Sequence, residues 1–228
     1  SDFDDTLYSW ELRIPERNLE AIRYFIRQGG YFTVSTGRAH RTFAPHVPSV
    51  PLNAPAVLSN GACIYDFAAD RCLGQTCLPD TAPKDLETLM EEFSSLSLEV
   101  YHGEDIYVCN PNEITFAHLE KVNCDYTQCA IADMPTPWVK AILHQEREVL
   151  APVQTRLLDR YPGRYEAIFS NPRYLELTRK GSSKGGGIAR VAQMLNVTPE
   201  HIYCVGDNQN DIPMLERSAI PFAPANCA

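Results

Sequence analysis

The sequence has 228 residues, of which 44% are hydrophobic and 21% are charged, and its formal net charge at pH 7 is -9. This composition is ordinary for a globular protein that builds its core without disulfides, and the length suits one large domain or two modest ones. The acidic balance excludes a general attraction to nucleic acid or to an anionic membrane. No stretch reaches the roughly 18 consecutive apolar residues of a membrane-spanning helix, and the eight cysteines form no CxxC pair. We therefore expect a cytoplasmic protein with reduced thiols that is a monomer or a weak dimer.

In the first third of the chain, helix-like and strand-like segments alternate as they do in an α/β domain. Apolar residues recur at helical spacing from position 19 to 26 and two glycines end the run, which predicts a helix beginning near position 16. The β-prone segment 31–34 ends in the turn Ser35-Thr36-Gly37-Arg38, and the apolar segment 56–58 ends in Ser59-Asn60-Gly61. Strands that end in polar turns and alternate with helices indicate a parallel sheet.

The middle of the chain mixes helical and strand patterns, which predicts an α+β domain with its own sheet. Helix-like stretches cover residues 84–93 and 137–150. Strand-like runs cover residues 98–101, 106–108, 165–169 and 174–177. The α/β alternation then resumes, with a predicted helix at 187–195 and a predicted strand at 202–205.

The predicted fold is therefore α/β, with a Rossmann-like parallel-sheet core that is discontinuous in sequence. The core comprises residues 1–79 and 178–228, and an α+β domain of residues 80–177 is inserted into it.

Four polar clusters occupy positions where open α/β sheets place their functional sites, just past strand ends. They are Asp2-Phe3-Asp4-Asp5-Thr6, Ser35-Thr36-Gly37-Arg38, Lys184 in a Gly/Ser-rich stretch, and Gly206-Asp207-Asn208-Gln209-Asn210-Asp211. Each cluster alone has an ordinary interpretation as a solvated loop. The last is the most specific, because paired carboxylates beside asparagines in a strand-ending loop leave many oxygens that need a cation.

Together the clusters contain what phosphoryl transfer requires: a nucleophile, a cation site, donors to the phosphate oxygens and a group that manages protons. An Asp carboxylate is a competent nucleophile. Mg²⁺ prefers a few carboxylates plus waters, and Asp2, the backbone carbonyl of Asp4, and Asp207 are suitable ligands. Suitable donors to phosphate are the Thr36 hydroxyl, the Gly37 amide and the Lys184 ammonium.

In this order the clusters resemble the four motifs of the haloacid dehalogenase-like (HAD) superfamily. The finer resemblance is to Cof-type phosphatases with a type IIB cap, and it covers about half the chain. It rests on DFDDTL, STGR, LSNGACIYD, SSKGGGI, VGDNQNDIPML and the tail segment that ends at Asn226. The family normally has a strand before the first motif and a strand and helix after Asn226, so we expect the sequence to lack a few residues at one end or both.

The resemblance implies a role for each matching residue. Asp2 would attack phosphorus and become phosphorylated, while Asp4 would protonate the leaving oxygen and then activate water. The implied phosphate-binding residues are Thr36, Gly37, Lys184 and Asn210. The implied metal ligands are Asp2, Asp4, Asp207 and Asp211, with Asp211 at or just behind the metal shell. Asp5 has no role in the motif, and Arg38 is assigned only the capping of the turn that follows it.

The residue at position 4 discriminates within the superfamily, since phosphatases and phosphomutases carry Asp there, P-type ATPases Thr and phosphonatases Ala. We therefore predict an Mg²⁺-dependent phosphatase that hydrolyses a small phosphorylated metabolite through a phospho-aspartate intermediate. A sugar phosphomutase of the same superfamily and a non-catalytic binding protein on this scaffold remain alternatives.

The substrate is less determined than the reaction. Sugar phosphates, pyridoxal phosphate and flavin mononucleotide remain open, and a sugar phosphate is favoured by analogy only. The inserted domain is expected to act as a lid that selects the substrate. Its candidate lining residues, each with an ordinary interpretation as packing or surface, are Tyr101, His102, Tyr107 and Trp138.

Overall fold

The structure is a computed structural model that describes residues 1–9, 13–225 and 227. The helices are α1 (Glu16–Arg27), α2 (His40–Phe43), α3 (Ala82–Glu92), α4 (Glu113–Val122), α5 (Arg147–Arg160), α6 (Lys184–Met194) and α7 (Ile212–Leu215). The strands are β1 (Ala56–Leu58), β2 (Cys63–Asp66), β3 (Arg71–Gln75), β4 (Ser97–His102), β5 (Asp105–Cys109), β6 (Tyr126–Gln128), β7 (Lys140–His144), β8 (Tyr165–Asn171), β9 (Tyr174–Arg179), β10 (Tyr203–Val205) and β11 (Ile220–Phe222). The chain divides into two compact units, Ser1–Gln75 with Ser182–Ala228, and Thr76–Gly181.

In the first unit, short extended segments lie side by side in parallel. Ser35 pairs in parallel with Val57 of β1, and its amide donates to the carbonyl of Ser1 at 2.8 Å. The amide of Asp2 donates to the carbonyl of Val205 on β10 at 2.8 Å, and β10 pairs in parallel with β11. The lateral order is thus β1, the segment at Ser35, the segment at Asp2, β10 and β11. The predicted α/β class with a parallel sheet is confirmed, and Asp2 is held by hydrogen bonds within that sheet.

Alternate residues of β1 enter two different apolar clusters, as expected for a strand whose side chains point to opposite faces. Leu58 packs with Phe3, Val34 and Phe43 on one face. Val57 packs on the other face with residues that include Ile188 of α6. This part of the sheet is therefore a middle layer with apolar packing on both sides, the usual arrangement of an α/β domain.

The second unit is built on a six-stranded sheet in the order β6-β5-β4-β7-β9-β8, in which only β5 and β6 pair in parallel. Leu98 and Val100 of β4 point into an apolar core that also contains residues of α3 and α5. Residues 97, 99 and 101 alternate with them and face the opposite side, where Thr115 of α4 donates to Ser97 Oγ at 2.6 Å. One face of this sheet is thus apolar, whereas the other buries polar side chains.

The prediction of a helix at residues 137–150 is wrong. Residues Lys140–His144 form β7, and α5 begins only at Arg147. Both faces of β7 are covered, with Ala141 and Leu143 in the apolar core on one side and His144 against Glu99 on the other, so all five of its residues are buried and the period-two alternation of a surface strand is missing. Residues 31–34, predicted as a strand, contribute single parallel hydrogen bonds rather than a regular strand. The other predicted helices and strands are present as α1, α3, α6, β1, β4, β5, β8, β9 and β10.

Several further expectations concern single residues. None of the eight cysteines, all of which the structure describes, forms a disulfide. Trp138 is buried in the apolar core of the second unit, with its indole N–H donating to the Pro135 carbonyl at 2.8 Å, and Tyr107 packs against the same core. Asn226 of the tail motif lies outside the described residues. Within the described part of the chain, we find no helix with the length and apolar character needed to span a membrane.

Candidate active site

The structure brings together three carboxylates that are far apart in sequence. Asp2 lies at the end of the first extended segment, and Asp207 and Asp211 lie in the loop after β10. One carboxylate oxygen from each of the three lies within 4.8 Å of the other two. We call these three residues the Asp2 cluster. It lies entirely within the unit formed by Ser1–Gln75 and Ser182–Ala228.

Lys184 is the cationic partner of this cluster. It is the first residue of α6, and its Nζ donates to Oδ1 of Asp2 and to Oδ1 of Asp211, each at 2.6 Å. The side chain is only 2% exposed, so the ammonium is held between the two carboxylates with little contact to water. Ser183 caps the helix by accepting from the Gly186 amide at 3.1 Å. The cap fixes where α6 begins and hence where Lys184 points.

Asp211 organises the acidic loop. Its Oδ2 accepts from the backbone amides of Asp207 and Asn208, each at 3.0 Å, while Oδ1 accepts from Lys184. A Cβ atom on Gly206 would come within 2.5 Å of the Asp211 side chain, so glycine is required where that carboxylate packs against the backbone. Thr6 adds a further contact, donating to Oδ1 of Asp207 at 2.6 Å. Both oxygens of Asp211 are therefore engaged by the protein, whereas the loop presents Asp207 to the cluster.

The carboxylate of Asp4 is bound by Arg38 and is not a member of the Asp2 cluster. Nη2 of Arg38 donates to Oδ1 of Asp4 at 2.7 Å, and Nε donates to Oδ2 at 2.9 Å. Nη1 of the same guanidinium donates to the Thr42 carbonyl at 3.2 Å and contacts Nε2 of His46 at 3.1 Å. Capping the following turn is therefore only part of what Arg38 does, because its planar fork also fixes the position of Asp4.

The loop after β1 contains a left-handed turn that packs against the start of α6. Ser59, Asn60 and Gly61 have φ values of 49°, 50° and 92°, a conformation that is uncommon for residues other than glycine. Gly61 also lies so close to the residue before Lys184 that an added Cβ would stand 2.1 Å from the Ser183 carbonyl oxygen. The turn thus places the β1 loop directly against the start of α6.

The predicted phosphate donors lie around this turn. The Asn60 amide donates to the Thr36 carbonyl at 3.0 Å, and Nδ2 of Asn210 donates to Oδ1 of Asn60 at 3.3 Å. The Thr36 hydroxyl oxygen accepts from the Arg38 amide at 3.1 Å, and Gly37 lies between these two residues in the chain. All the predicted site residues therefore belong to one unit. Their role as phosphate ligands stays a prediction.

Burial and charge compete at the centre of the site. Burial raises the pKa of Asp2 above the ordinary carboxyl range, and contact with Lys184 opposes that rise. Burial alone would lower the pKa of Lys184, but Asp2 and Asp211 hold it above its ordinary value, so the side chain is an ammonium near neutral pH. The three carboxylates of the cluster outnumber the one ammonium that contacts them. Three neighbouring carboxyl groups fit a divalent cation, and ligand sets made only of oxygens suit Mg²⁺.

The chain belongs to the haloacid dehalogenase-like hydrolase family, whose sequence profile matches residues 1–228. Over 99% of its length it is 24% identical to the 5-amino-6-(5-phospho-D-ribitylamino)uracil phosphatase YitU of Bacillus subtilis, of which it covers 85%. It is 23% identical to the pyridoxal phosphate phosphatase YbhA of Escherichia coli, covering 99% of this chain and 86% of that protein. The predicted family and the predicted phosphatase class are confirmed.

Solved structures show the same fold. The HAD subclass IIB sugar phosphatase BT4131 superposes with a TM-score of 0.86 at 21% identity, covering 100% of this chain and 86% of that structure. A haloacid dehalogenase-like hydrolase from Bacteroides thetaiotaomicron gives a TM-score of 0.83, also at 21% identity, with 100% and 87% coverage. At this level of identity the structures establish the fold, while the substrate has to be argued separately.

Arg38 gives a test of how Asp4 is held. Arg38→Lys keeps the charge but loses the two-pronged contact, so we expect kcat for phosphate release to fall about 10-fold, and Arg38→Ala to lower it about 100-fold. Steady-state kinetics on both variants provide the measurement. Arg41→Lys, at an exposed position on α2, is the matched control and should behave as the wild type. Equal activities of Arg38→Lys and Arg41→Lys would show that the contact with Asp4 is dispensable.

Sequence reasoning assigned no role to two contributors to the site, Thr6 and Asn60, and assigned Arg38 only the capping of a turn. Thr6 and Arg38 lie within the motifs identified in the sequence. Asn60 lies in a turn that follows a predicted strand, the same kind of position that the other site loops occupy. The position of Asn60 after β1 was therefore an available signal. The partners of Thr6 and Arg38 are remote in sequence, at 201 and 34 residues, and no local pattern identifies them.

Proposed function

We propose that this phosphatase hydrolyses the phosphate ester of a small metabolite, using Mg²⁺ and a phospho-aspartate formed on Asp2. The observation that carries the proposal is the Asp2 cluster: three carboxylates with oxygens within 4.8 Å of one another, two of them bound at 2.6 Å by the buried Lys184. That arrangement combines a nucleophile with a cation site, as phosphoryl transfer requires.

The first step transfers the phosphoryl group to the enzyme. Because Lys184 holds Oδ1 of Asp2, Oδ2 is the oxygen that attacks phosphorus. The bond between phosphorus and the ester oxygen breaks, and Asp4 gives a proton to the departing oxygen. Lys184 and the donors at Thr36, Gly37 and Asn210 hold the remaining phosphoryl oxygens.

The second step returns Asp2 to its starting state. Asp4, now a carboxylate, takes a proton from a water molecule as that water attacks phosphorus. The bond between phosphorus and Asp2 breaks, and inorganic phosphate leaves. Acid–base assistance of this kind contributes about 10² to 10⁴ in rate.

Mg²⁺ would be held by Asp2, Asp207 and the backbone carbonyl of Asp4, and it would neutralise charge on the phosphoryl oxygens and on the cluster. Asp211 already has both oxygens bound by the protein, so we place it behind the metal, where it orients the loop that carries Asp207. The unit Thr76–Gly181 is our candidate for the substrate-selecting cap.

The substrate class that we propose is a sugar phosphate or a similarly small phosphate ester. The relatives named above act on 5-amino-6-(5-phospho-D-ribitylamino)uracil and on pyridoxal phosphate, and a neighbour in fold is a sugar phosphatase. Each of these names specifies a small phosphorylated molecule.

A phosphate-release assay on the full chain tests the proposal. With a panel of sugar phosphates, pyridoxal phosphate and flavin mononucleotide, we expect release that stops with a chelator and returns with excess Mg²⁺. Asp207→Asn should lower kcat/KM by about 100-fold or more and raise the Mg²⁺ concentration needed. Asp5→Asn is the matched control, because Asp5 is an exposed neighbouring carboxylate with no proposed role.

Three outcomes would contradict the proposal in different ways. Undiminished phosphate release in the presence of chelator would show that the reaction needs no metal. Equal activity of Asp207→Asn and Asp5→Asn would show that Asp207 has no role in the site. Turnover that required a sugar bisphosphate and returned phosphate to the sugar would indicate a phosphomutase.

A further inference from the structure

A second group of metal-ligating side chains lies in the unit Thr76–Gly181 and takes no part in the proposed reaction. It consists of Glu99 on β4, His118 on α4 and His144 on β7, and one ligand atom from each lies within 4.8 Å of the other two. We call these residues the Glu99 cluster. From its geometry we propose that the Glu99 cluster binds a divalent transition-metal ion of the zinc type.

The distances are close to those of a bound ion. Oε2 of Glu99 lies 3.0 Å from Nδ1 of His118 and 3.1 Å from Nε2 of His144. Ligand atoms bound to a tetrahedral ion at about 2.0–2.2 Å stand about 3.3–3.6 Å apart. Two of the three separations therefore need little change, and the two nitrogens, within 4.8 Å, would approach each other by no more than about 1.5 Å.

The charge balance of the cluster also favours a cation. Glu99 and His144 are 0% exposed and His118 is 9% exposed. Both imidazoles contact the same oxygen, Oε2, of the buried Glu99 side chain. A buried carboxylate is costly unless it is paired, and a divalent ion bound to Glu99 would compensate its charge.

Hydrogen bonding within the cluster does not satisfy all of its atoms. Among the described residues, Oε1 of Glu99 and Nδ1 of His144 are buried without a hydrogen-bond partner. An unsatisfied buried polar atom costs about 1–3 kcal/mol. A chelating Glu99 would use Oε1 as a fourth ligand atom, giving two nitrogens and two oxygens around the ion. Each imidazole would then carry its proton on the nitrogen remote from the ion.

The ligand types indicate the class of ion. Two imidazole nitrogens with one carboxylate favour Zn²⁺ and its transition-series neighbours, whereas Mg²⁺ and Ca²⁺ prefer oxygen ligands. The Glu99 cluster and the Asp2 cluster should therefore select different metals. Tyr174 packs edge-on against both imidazoles, with ring centroids 5.0 Å from His118 and 5.2 Å from His144, and restricts their orientation. Because the three ligands come from α4 and two strands, the ion would fasten the helix to the sheet.

Metal titration of the full chain tests this site. Metal-free protein is titrated with Zn²⁺ in a calorimeter while Mg²⁺ is saturating, and with Co²⁺ in a spectrophotometer. We expect one tight Zn²⁺ site per chain, a rise in Tm on binding, and Co²⁺ absorption bands of a nitrogen-ligated, four-coordinate ion. His118→Gln should weaken Zn²⁺ binding at least 10-fold. His102→Gln is the matched control and should bind as the wild type, since His102 lies in the same unit but contacts the Pro137 carbonyl.

Comparison with Asp207→Asn separates the two metal sites. Zn²⁺ binding that survives in Asp207→Asn and is lost in His118→Gln supports the proposal. The opposite pattern, or no stoichiometric Zn²⁺ binding by the wild type, overturns it without touching the proposed phosphatase mechanism. Should His118→Gln fail to fold by circular dichroism, the wild-type Co²⁺ spectrum decides: the spectrum of aqueous Co²⁺ overturns the proposal, and intense four-coordinate bands support it.

Discussion

Asp2→Asn is expected to remove phosphate release almost completely, with a loss on the order of 10⁴-fold or more in kcat. The substitution replaces the attacking carboxylate by an amide of the same shape, which cannot form an acyl phosphate. Lys184 keeps its 2.6 Å contact with Asp211, so the site should stay assembled and the variant should fold. Stopped-time assays of released phosphate, with circular dichroism to verify the fold, provide the measurement.

The covalent intermediate gives the same prediction a second readout. Acid quenching of the wild type during turnover should leave phosphate on the peptide that contains Asp2, and the Asp2→Asn variant should leave none. Asp5→Asn, the exposed neighbour, should retain both the phosphopeptide and the activity. Near-normal turnover by Asp2→Asn, or phosphate trapped on another residue, would disprove the nucleophile assignment.

Lys184→Met is expected to destabilise the protein by about 3–5 kcal/mol in the absence of metal, because it leaves two buried carboxylates without their shared ammonium. Methionine keeps the length of the side chain while removing its charge. With the ammonium gone, a divalent cation becomes the main compensation for Asp2 and Asp211. Mg²⁺ should therefore stabilise this variant more than it stabilises the wild type. Chemical denaturation with and without Mg²⁺ measures both effects.

Lys180→Met is the matched control for that experiment. The Lys180 side chain is 57% exposed and pairs with Glu166 at 3.1 Å, so its removal should cost no more than about 1 kcal/mol and should not change the response to Mg²⁺. If the two lysine variants proved equally stable and responded equally to Mg²⁺, Lys184 could not be the cation that compensates the Asp2 cluster.

The sequence predicted the elements whose pattern is local. The helix α1 and the edge strand β8 carry periodicity or bounding turns that a single segment displays. The prediction failed at β7, where burial on both sides replaces alternation with a continuous run. It also missed α4, whose capping box at Asn112, with Thr115 in place of Glu or Gln, departs from the common signal.

The site shows the same division at the level of single side chains. Asp2 and Asp207 were singled out because strand-ending motifs specify which residue types stand at the edge of a parallel sheet, and Lys184 was singled out by its Gly/Ser-rich stretch and by the order of the motifs. The sequence did not show which side chains contact one another. It did not reveal that Arg38 binds Asp4 through two hydrogen bonds or that Lys184 binds two carboxylates. It also did not reveal the cluster of Glu99, His118 and His144. These contacts join residues between 19 and 182 positions apart, as with His118 and Glu99 or Lys184 and Asp2.

The sequence alone therefore determined the family, the α/β class and the phosphatase class, and it predicted which residues supply the chemistry, because backbone preference and motif order are properties of short segments. Only the tertiary structure decided which charges meet, which are buried and which remain uncompensated. The physical reason is that electrostatic energy depends on distance and on exclusion of water, and both are set by packing between segments that the chain keeps far apart.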